Sequence, residues 1–307
     1  MRVAVVDIGT NSSRLLIADV DAGGDVEVRL RRSEVTRLGA GVDASGALSE
    51  QACARVFARL DEFALAIGEH ECEANLAVLT SAVRDASNGA EFAARVREDY
   101  GLDARVLSGQ EEAQLTFLGA MAGRQAASEP TVVIDIGGGS TEFVIGVGRS
   151  AGFHTSLHAG VVRMSERHIA HDPPPPGEIQ ALAADVRGVL ADGLPQDERA
   201  PVRAGIAVAG TATSAAAMDQ ELTPYDPARV HGYRLTLATV ELFLARLADM
   251  NEAQRREVIG LHPDRAPTIV AGMVLLSEAM RAFALESVEV SEHDILYGGA
   301  LRLAGMG

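Results

Sequence analysis

Thr131-Val132-Val133-Ile134-Asp135-Ile136-Gly137-Gly138-Gly139-Ser140-Thr141-Glu142-Phe143-Val144-Ile145-Gly146-Val147 reads as strand, glycine turn, strand. The flanking runs are apolar and β-branched, as a buried strand requires. Three consecutive glycines let the backbone approach a ligand closely and turn several N–H groups inward, which makes an anion-binding concavity. Ser140 and Thr141 add hydroxyl donors, and Asp135 and Glu142 bracket the turn with carboxylates suited to a hard cation. The chain opens on a second version of the device. Val3-Ala4-Val5-Val6 leads into Asp7-Ile8-Gly9-Thr10-Asn11-Ser12-Ser13-Arg14 and then Leu15-Leu16-Ile17-Ala18. Two Asp-Ile-Gly turns, each between short apolar strands, signal an internal duplication. They predict an α/β protein with two related lobes that face one phosphate-bearing substrate.

Composition sets outer limits. The chain has 307 residues, of which 47% are hydrophobic and 23% charged, as in ordinary soluble globular proteins. A division into 1–125 and 126–307 is expected, with Arg124 to Pro130 as the hinge. The formal net charge of −16 argues against nucleic-acid binding, which leaves a basic footprint. An anionic substrate must then be met locally, by loop amides, a metal and a few arginines. Cys53 and Cys72 lack metal-ligand spacing and read as reduced, buried thiols of a cytoplasmic protein. The first apolar run is cut at Asp7, so no secretory signal is expected, and no run is long enough to cross a membrane.

Outward from the loops, the pattern strand, strand, strand, helix occurs in both halves: strands at 3–7, 14–20 and 25–36, then at 131–135, 141–147 and 151–157. A strand over 75–80 ends in Thr80-Ser81-Ala82-Val83-Arg84, polar residues where ligands sit in open α/β sheets. Ser108-Gly109-Gln110-Glu111-Glu112-Ala113 opens a helix. Glu111 has the spacing of a capping box with Ser108, which leaves Glu112 without a capping task. Periodicity puts Glu111 nearer the apolar stripe of Leu115, Leu118 and Ala122, and does not say which glutamate faces a ligand. A strand over 204–208 enters the small-residue turn Ala209-Gly210-Thr211, a candidate ligand turn. Ile269–Met280 is apolar nearly all round and predicts the central helix of the second lobe. His168-x-x-His171 has metal-ligand spacing, but the adjoining prolines favour an exposed bend.

These motifs together resemble the exopolyphosphatase / guanosine pentaphosphate phosphohydrolase (Ppx/GppA) family. The matching pieces are Asp7 to Ser12, Thr80 to Ala86 with Arg84, Ser108-Gly109-x-Glu111-Glu112-Ala113, Asp135 to Glu142, Gly160 to Arg163, and Ala209-Gly210-Thr211. They stand in the family's order along essentially the whole chain. The resemblance implies two ribonuclease-H-like domains of the actin, sugar kinase and heat-shock ATPase type, with a cleft between them. Longer relatives carry an additional helical domain, which a chain ending at Gly307 is expected to lack.

The resemblance also implies hydrolytic removal of terminal phosphate from polyphosphate or from pppGpp. It implies Mg²⁺, with Mn²⁺ as the alternative, and a homodimer as one assembly. Glu112 matches the general base that activates water. Asp135 and Glu142 match the metal- and phosphate-site carboxylates. Asp7, Gly9, Thr10, Asn11 and Ser12 match one phosphate loop, and Gly137, Gly138, Gly139, Ser140 and Thr141 match the other. Arg84 matches an arginine at the phosphate channel, and Gly210 and Thr211 partly match a nucleoside turn.

Overall fold

Both glycine turns close a strand pair at the start of a five-strand pattern, and that pattern is built twice. The structure, a computed structural model of the chain, describes residues 1–124, 129–148 and 150–306. The first pass runs β1 (Arg2–Ile8), β2 (Ser12–Val20), β3 (Val26–Val35), α1 (Val42–Ser45), α2 (Glu50–Glu69), β4 (Ala74–Leu79), α3 (Ser81–Asp85), α4 (Gly89–Tyr100), β5 (Ala104–Val106) and α5 (Gly109–Ala120). Among the described residues its sheet has the order β3-β2-β1-β4-β5. The first three strands form antiparallel hairpins, while β4 and β5 add parallel to β1 through helical crossovers.

The second pass runs β6 (Thr131–Ile136), β7 (Thr141–Val147), β8 (Ser150–Leu157), α6 (Val161–His168), α7 (Pro176–Gly193), α8 (Gln196–Arg199), β9 (Ala204–Val208), α9 (Ala209–Asp219), α10 (Pro227–Val230), β10 (Arg234–Thr236), α11 (Leu237–Ala248), α12 (Glu252–Arg256), α13 (Ile269–Ala282), β11 (Ser287–Val290) and α14 (Ile295–Leu303). Its sheet reads β8-β7-β6-β9-β11-β10. The first five strands repeat the order of the other sheet, and β10 adds antiparallel at the edge. Both sheets therefore have the ribonuclease-H-like order, a hairpin meander continued by parallel strands.

In the first unit, alternate residues of β1 serve opposite faces, as strand geometry dictates. Ala4, Val6 and Ile8 join Val56, Leu60 and Phe63 of α2, while Val3 and Val5 join Leu296, Ala300 and Leu301 of α14. The last helix thus belongs to the first unit, which comprises Met1–Arg124 and His293–Gly307; the second comprises Gln125–Glu292. This differs from the expected 126–307 lobe. The apolar stripe of α14 needs cover, and β1 and β2 supply it. Gly119 of α5 and Gly298 of α14 let these two helices meet backbone to backbone: a β-carbon on Gly298 would lie 1.9 Å from the Leu115 carbonyl oxygen. Residues 125–128 of the expected hinge, and with them the expected boundary, lie outside the described residues.

The second unit has α13 at its centre, and every residue from Ile269 to Met280 is buried. The short strand β10 carries no apolar run and was not expected. No helix among the described residues is long and apolar enough to cross a membrane. At the junction of β9 and α9, Ala209 has φ 62°, a left-handed conformation that β-carbon sterics disfavour. Ala209→Gly is expected to raise stability by about 0.5 kcal/mol, since the relief exceeds the added freedom of the unfolded chain. Thermal unfolding would show this as a rise of roughly 1–2 °C.

Candidate functional site

The two loops share their internal geometry. The Gly9 amide donates to the Ser12 carbonyl at 2.9 Å, and the Gly137 amide donates to the Ser140 carbonyl at 3.0 Å. Each loop is also held from behind by the segment after its third strand. In the second unit, the first-turn amides of α6 reach the loop: Val161 N–H donates to Gly137 O and Val162 N–H to Gly138 O, each at 2.9 Å. In the first unit, Gly39 N–H donates to Thr10 O at 2.9 Å, and Thr36 and Arg37 N–H donate to Asn11 O. A trans peptide points its N–H opposite its carbonyl. The amides of Gly138 and Gly139, like those of Asn11 and Ser12, are therefore turned away from this support, as an anion-binding nest requires. Gly160 makes the close approach of α6 feasible, because a β-carbon there would sit 2.3 Å from Gly138 O.

The hydroxyls lock these loops. Thr10 Oγ1 and Ser81 Oγ share a buried hydrogen bond of 2.9 Å, so the start of α3 is tied to the first loop. Thr141 Oγ1 donates to Ala159 O at 2.5 Å and fixes the exit of the second loop to the segment between β8 and α6.

The copies diverge at their carboxylates. Asp7 faces Arg14 across the β1–β2 pair, whereas Asp135 faces Glu142 across β6–β7. In the first unit Arg14 Nε donates to Asp7 Oδ2 at 2.8 Å, and its Nη1 donates to Asp294, the N-cap of α14. Burial raises the Asp7 carboxyl above its ordinary range, the Arg14 guanidinium pulls it back, and the nearby Asp294 adds to the rise. In the second unit two buried carboxylates stand at directly opposed positions, and Ser156 Oγ donates to Glu142 Oε1 at 2.7 Å. Like charges at facing positions repel, and a divalent cation relieves that repulsion.

The donor set fits Mg²⁺. It consists of hard oxygens, and Mg²⁺ is commonly held by one or two carboxylates together with waters and substrate phosphates. No group of three or more His, Cys, Asp or Glu side chains gathers as a metal cage among the described residues. His168 and His171 each face a carboxylate of their own, Asp185 at 2.7 Å and Glu178 at 2.5 Å.

Glu111 and Glu112 have separate tasks. Ser108 Oγ accepts from Glu111 N–H, and Glu111 Oε2 accepts from Ser108 N–H at 2.9 Å, which closes the capping box. The bonds that Ser108 N–H and Ser108 Oγ–H donate to Oε2 hold the Glu111 carboxyl below its usual range. Glu112 is 8% exposed, and its Oε2 accepts from Arg84 Nη1 at 3.1 Å. Arg84 Nη1 also donates to Leu107 O at 3.0 Å, which anchors it to the end of β5. The structure thus reverses the periodicity argument: Glu111 is exposed and Glu112 buried. Helix α5 is covered on more than its Leu115–Leu118 stripe, since Thr116 and Phe117 are buried as well.

At the Gly210–Thr211 turn, the guanidinium of Arg265 lies so close that a β-carbon on Gly210 would meet its Nη1 at 1.6 Å. Arg265 and Asp294 are far in sequence from the loops they adjoin and carried no local signal. The Arg14–Glu142 difference was legible, because both residues stand seven places after a loop aspartate.

A family model described as the Ppx/GppA phosphatase family matches residues 16–302. Exopolyphosphatase 2 of Mycobacterium tuberculosis is 38% identical over 316 residues, with 99% of each chain covered. Among solved structures, an exopolyphosphatase-like protein superposes with a TM-score of 0.92 at 35% identity, covering 98% of this chain and 97% of the other. An exopolyphosphatase from Cytophaga hutchinsonii gives a TM-score of 0.90 at 25% identity, with 100% and 99% covered. Matched over residues 16–302 by the family model and over nearly its whole length by these relatives, the chain belongs to the Ppx/GppA phosphatase family, and is a hydrolytic enzyme of that family.

Proposed function

We propose that this protein is an exopolyphosphatase, a Mg²⁺-dependent hydrolase that releases terminal orthophosphate from inorganic polyphosphate with Glu112 as general base. The asymmetry of the duplicated loops carries the reading. The first loop's aspartate is matched with an arginine, and the second loop's aspartate is matched with a glutamate. One loop is thereby suited to phosphate alone and the other to phosphate with a cation. The relatives named as exopolyphosphatases support the choice of substrate.

Phosphoanhydride hydrolysis asks for an in-line water, neutralised charge and a group that takes the water's proton. Glu112 takes that proton as the water oxygen bonds to the terminal phosphorus. The bond to the bridging oxygen breaks, giving orthophosphate and a chain one phosphate shorter. Arg84 holds the carboxylate in orientation through the 3.1 Å hydrogen bond. The loop amides stabilise charge on the equatorial oxygens. Asp135 and Glu142 would hold Mg²⁺, which when bound neutralises phosphate charge and orients the substrate.

The test is orthophosphate release from short and long polyphosphate, pppGpp and ATP in parallel, with and without chelator. The expected result is release from polyphosphate that EDTA abolishes and added Mg²⁺ restores, and that Asp135→Asn lowers by about 10²-fold or more. Faster release from pppGpp would reassign the substrate. Release that is indifferent to chelation would remove the metal from the account.

A further inference from the structure

The support behind the second loop includes the side chain of Arg163. The amides of α6 take up the carbonyls of Gly137 and Gly138, the latter also receiving the Arg163 amide at 3.3 Å. The remaining glycine carbonyl, that of Gly139, accepts from Arg163 Nε at 2.9 Å. In the first unit the corresponding carbonyls, of Thr10 and Asn11, are held by the backbone amides of Gly39, Thr36 and Arg37.

We infer that Arg163 is a positioning residue for hydrolysis, one that fixes the Gly139–Ser140 peptide so that the Ser140 N–H presents to the phosphoryl group. The inference rests on the hydrolase reading of this loop. A glycine peptide flips readily, because glycine tolerates backbone conformations closed to other residues. A flipped Gly139–Ser140 peptide would turn a carbonyl toward the anion where a donor is needed, exchanging attraction for repulsion. The guanidinium prevents this as a permanent cation whose Nε lies partway along the stem. Lysine cannot supply a donor at that point.

Arg163→Ala and Arg163→Lys, made in the full chain, test the inference by three readouts: kcat and KM on tripolyphosphate with Mg²⁺, thermal unfolding, and recovery with added guanidinium. A fourth readout, calorimetric binding of tripolyphosphate in a Glu112→Gln background, is independent of turnover. For Arg163→Ala we expect kcat/KM to fall about 10–100-fold, less than the loss of a direct oxyanion donor. The unfolding temperature should stay within about 4 °C of the parent. Guanidinium should restore part of the activity of the alanine variant and none to the parent, and lysine should recover little. An Arg163→Ala enzyme within about threefold of the parent overturns the inference. So does a loss that guanidinium leaves unchanged and that tracks a collapse of unfolding temperature, which would mark a purely structural residue. If the parent binds tripolyphosphate without hydrolysing it, and Arg163→Ala binds about tenfold more weakly, the positioning role stands and the hydrolase reading falls. If the parent neither binds nor hydrolyses it, both fall.

Discussion

Replacing Glu112 with glutamine is expected to lower orthophosphate release by about 10²–10⁴-fold, the contribution of a positioned general base. Glutamine has nearly the same shape, and its side-chain oxygen can still accept the hydrogen bond from Arg84 Nη1, so the start of α5 keeps its geometry. The cap of that helix is untouched, because Ser108 and Glu111 close the capping box without Glu112. Arg84 remains partly exposed beside Asp85, so its charge is not stranded in the core. Unfolding should therefore shift by no more than about 1 kcal/mol, within the range of a single hydrogen bond. KM should change little, since a base acts on the water and not on the bound chain. The corresponding Glu111→Gln variant separates the two glutamates. It keeps an acceptor for the capping box, as Gln254 does at α12, and removes only a negative charge from the helix N-terminus. It is expected to cost about 0.3–1 kcal/mol of stability while activity is retained. Equal loss of activity from both substitutions would dissolve the assignment.

Gly160→Ala is expected to have a comparable effect through the opposite route, by geometry without loss of any functional group. The added methyl would stand 2.3 Å from the Gly138 oxygen and 2.5 Å from the Gly139 carbonyl carbon. These are backbone atoms of the loop, so the clash cannot be relieved by a side-chain rotation. Either α6 withdraws, and the amides of Val161 and Val162 release the loop carbonyls, or the loop itself moves. A displacement near 1 Å at a catalytic loop lowers rate by roughly 10²-fold. The overpacking also lowers stability by about 1–3 kcal/mol. Steady-state kinetics with thermal unfolding on the same preparations checks both. Near-parental activity would show that the loop does not depend on its contact with α6.

The duplicated loops were legible because their signal is local: two Asp-Ile-Gly turns between apolar strands dictate strand, turn and strand without reference to the rest of the chain. The common strand order follows from that start, since hairpins and helical crossovers leave few alternatives. Helix α14 was not legible in the same way. Its apolar residues state that it must be buried, but only the three-dimensional arrangement shows that β1 and β2 are the cover. Glu112 illustrates the limit of periodicity. A helix buried on most of its circumference has no single stripe to count from, and Arg84, its partner, lies 28 residues earlier. The ties from α6 to the loop carbonyls are backbone contacts to which side-chain identity contributes only through Gly160 and Arg163. The opposed pairs Asp7–Arg14 and Asp135–Glu142 needed only the two loops aligned on each other, and they carry the functional asymmetry.

The most direct test of the central claim follows polyphosphate of defined length, incubated with Mg²⁺ and the full chain, resolved by length over time. Orthophosphate is expected to appear in step with chains shortened from the end, and both products are expected to form about 10²–10⁴-fold more slowly with the Glu112→Gln protein. Scission into internal fragments, or undiminished orthophosphate release by Glu112→Gln, would contradict the claim.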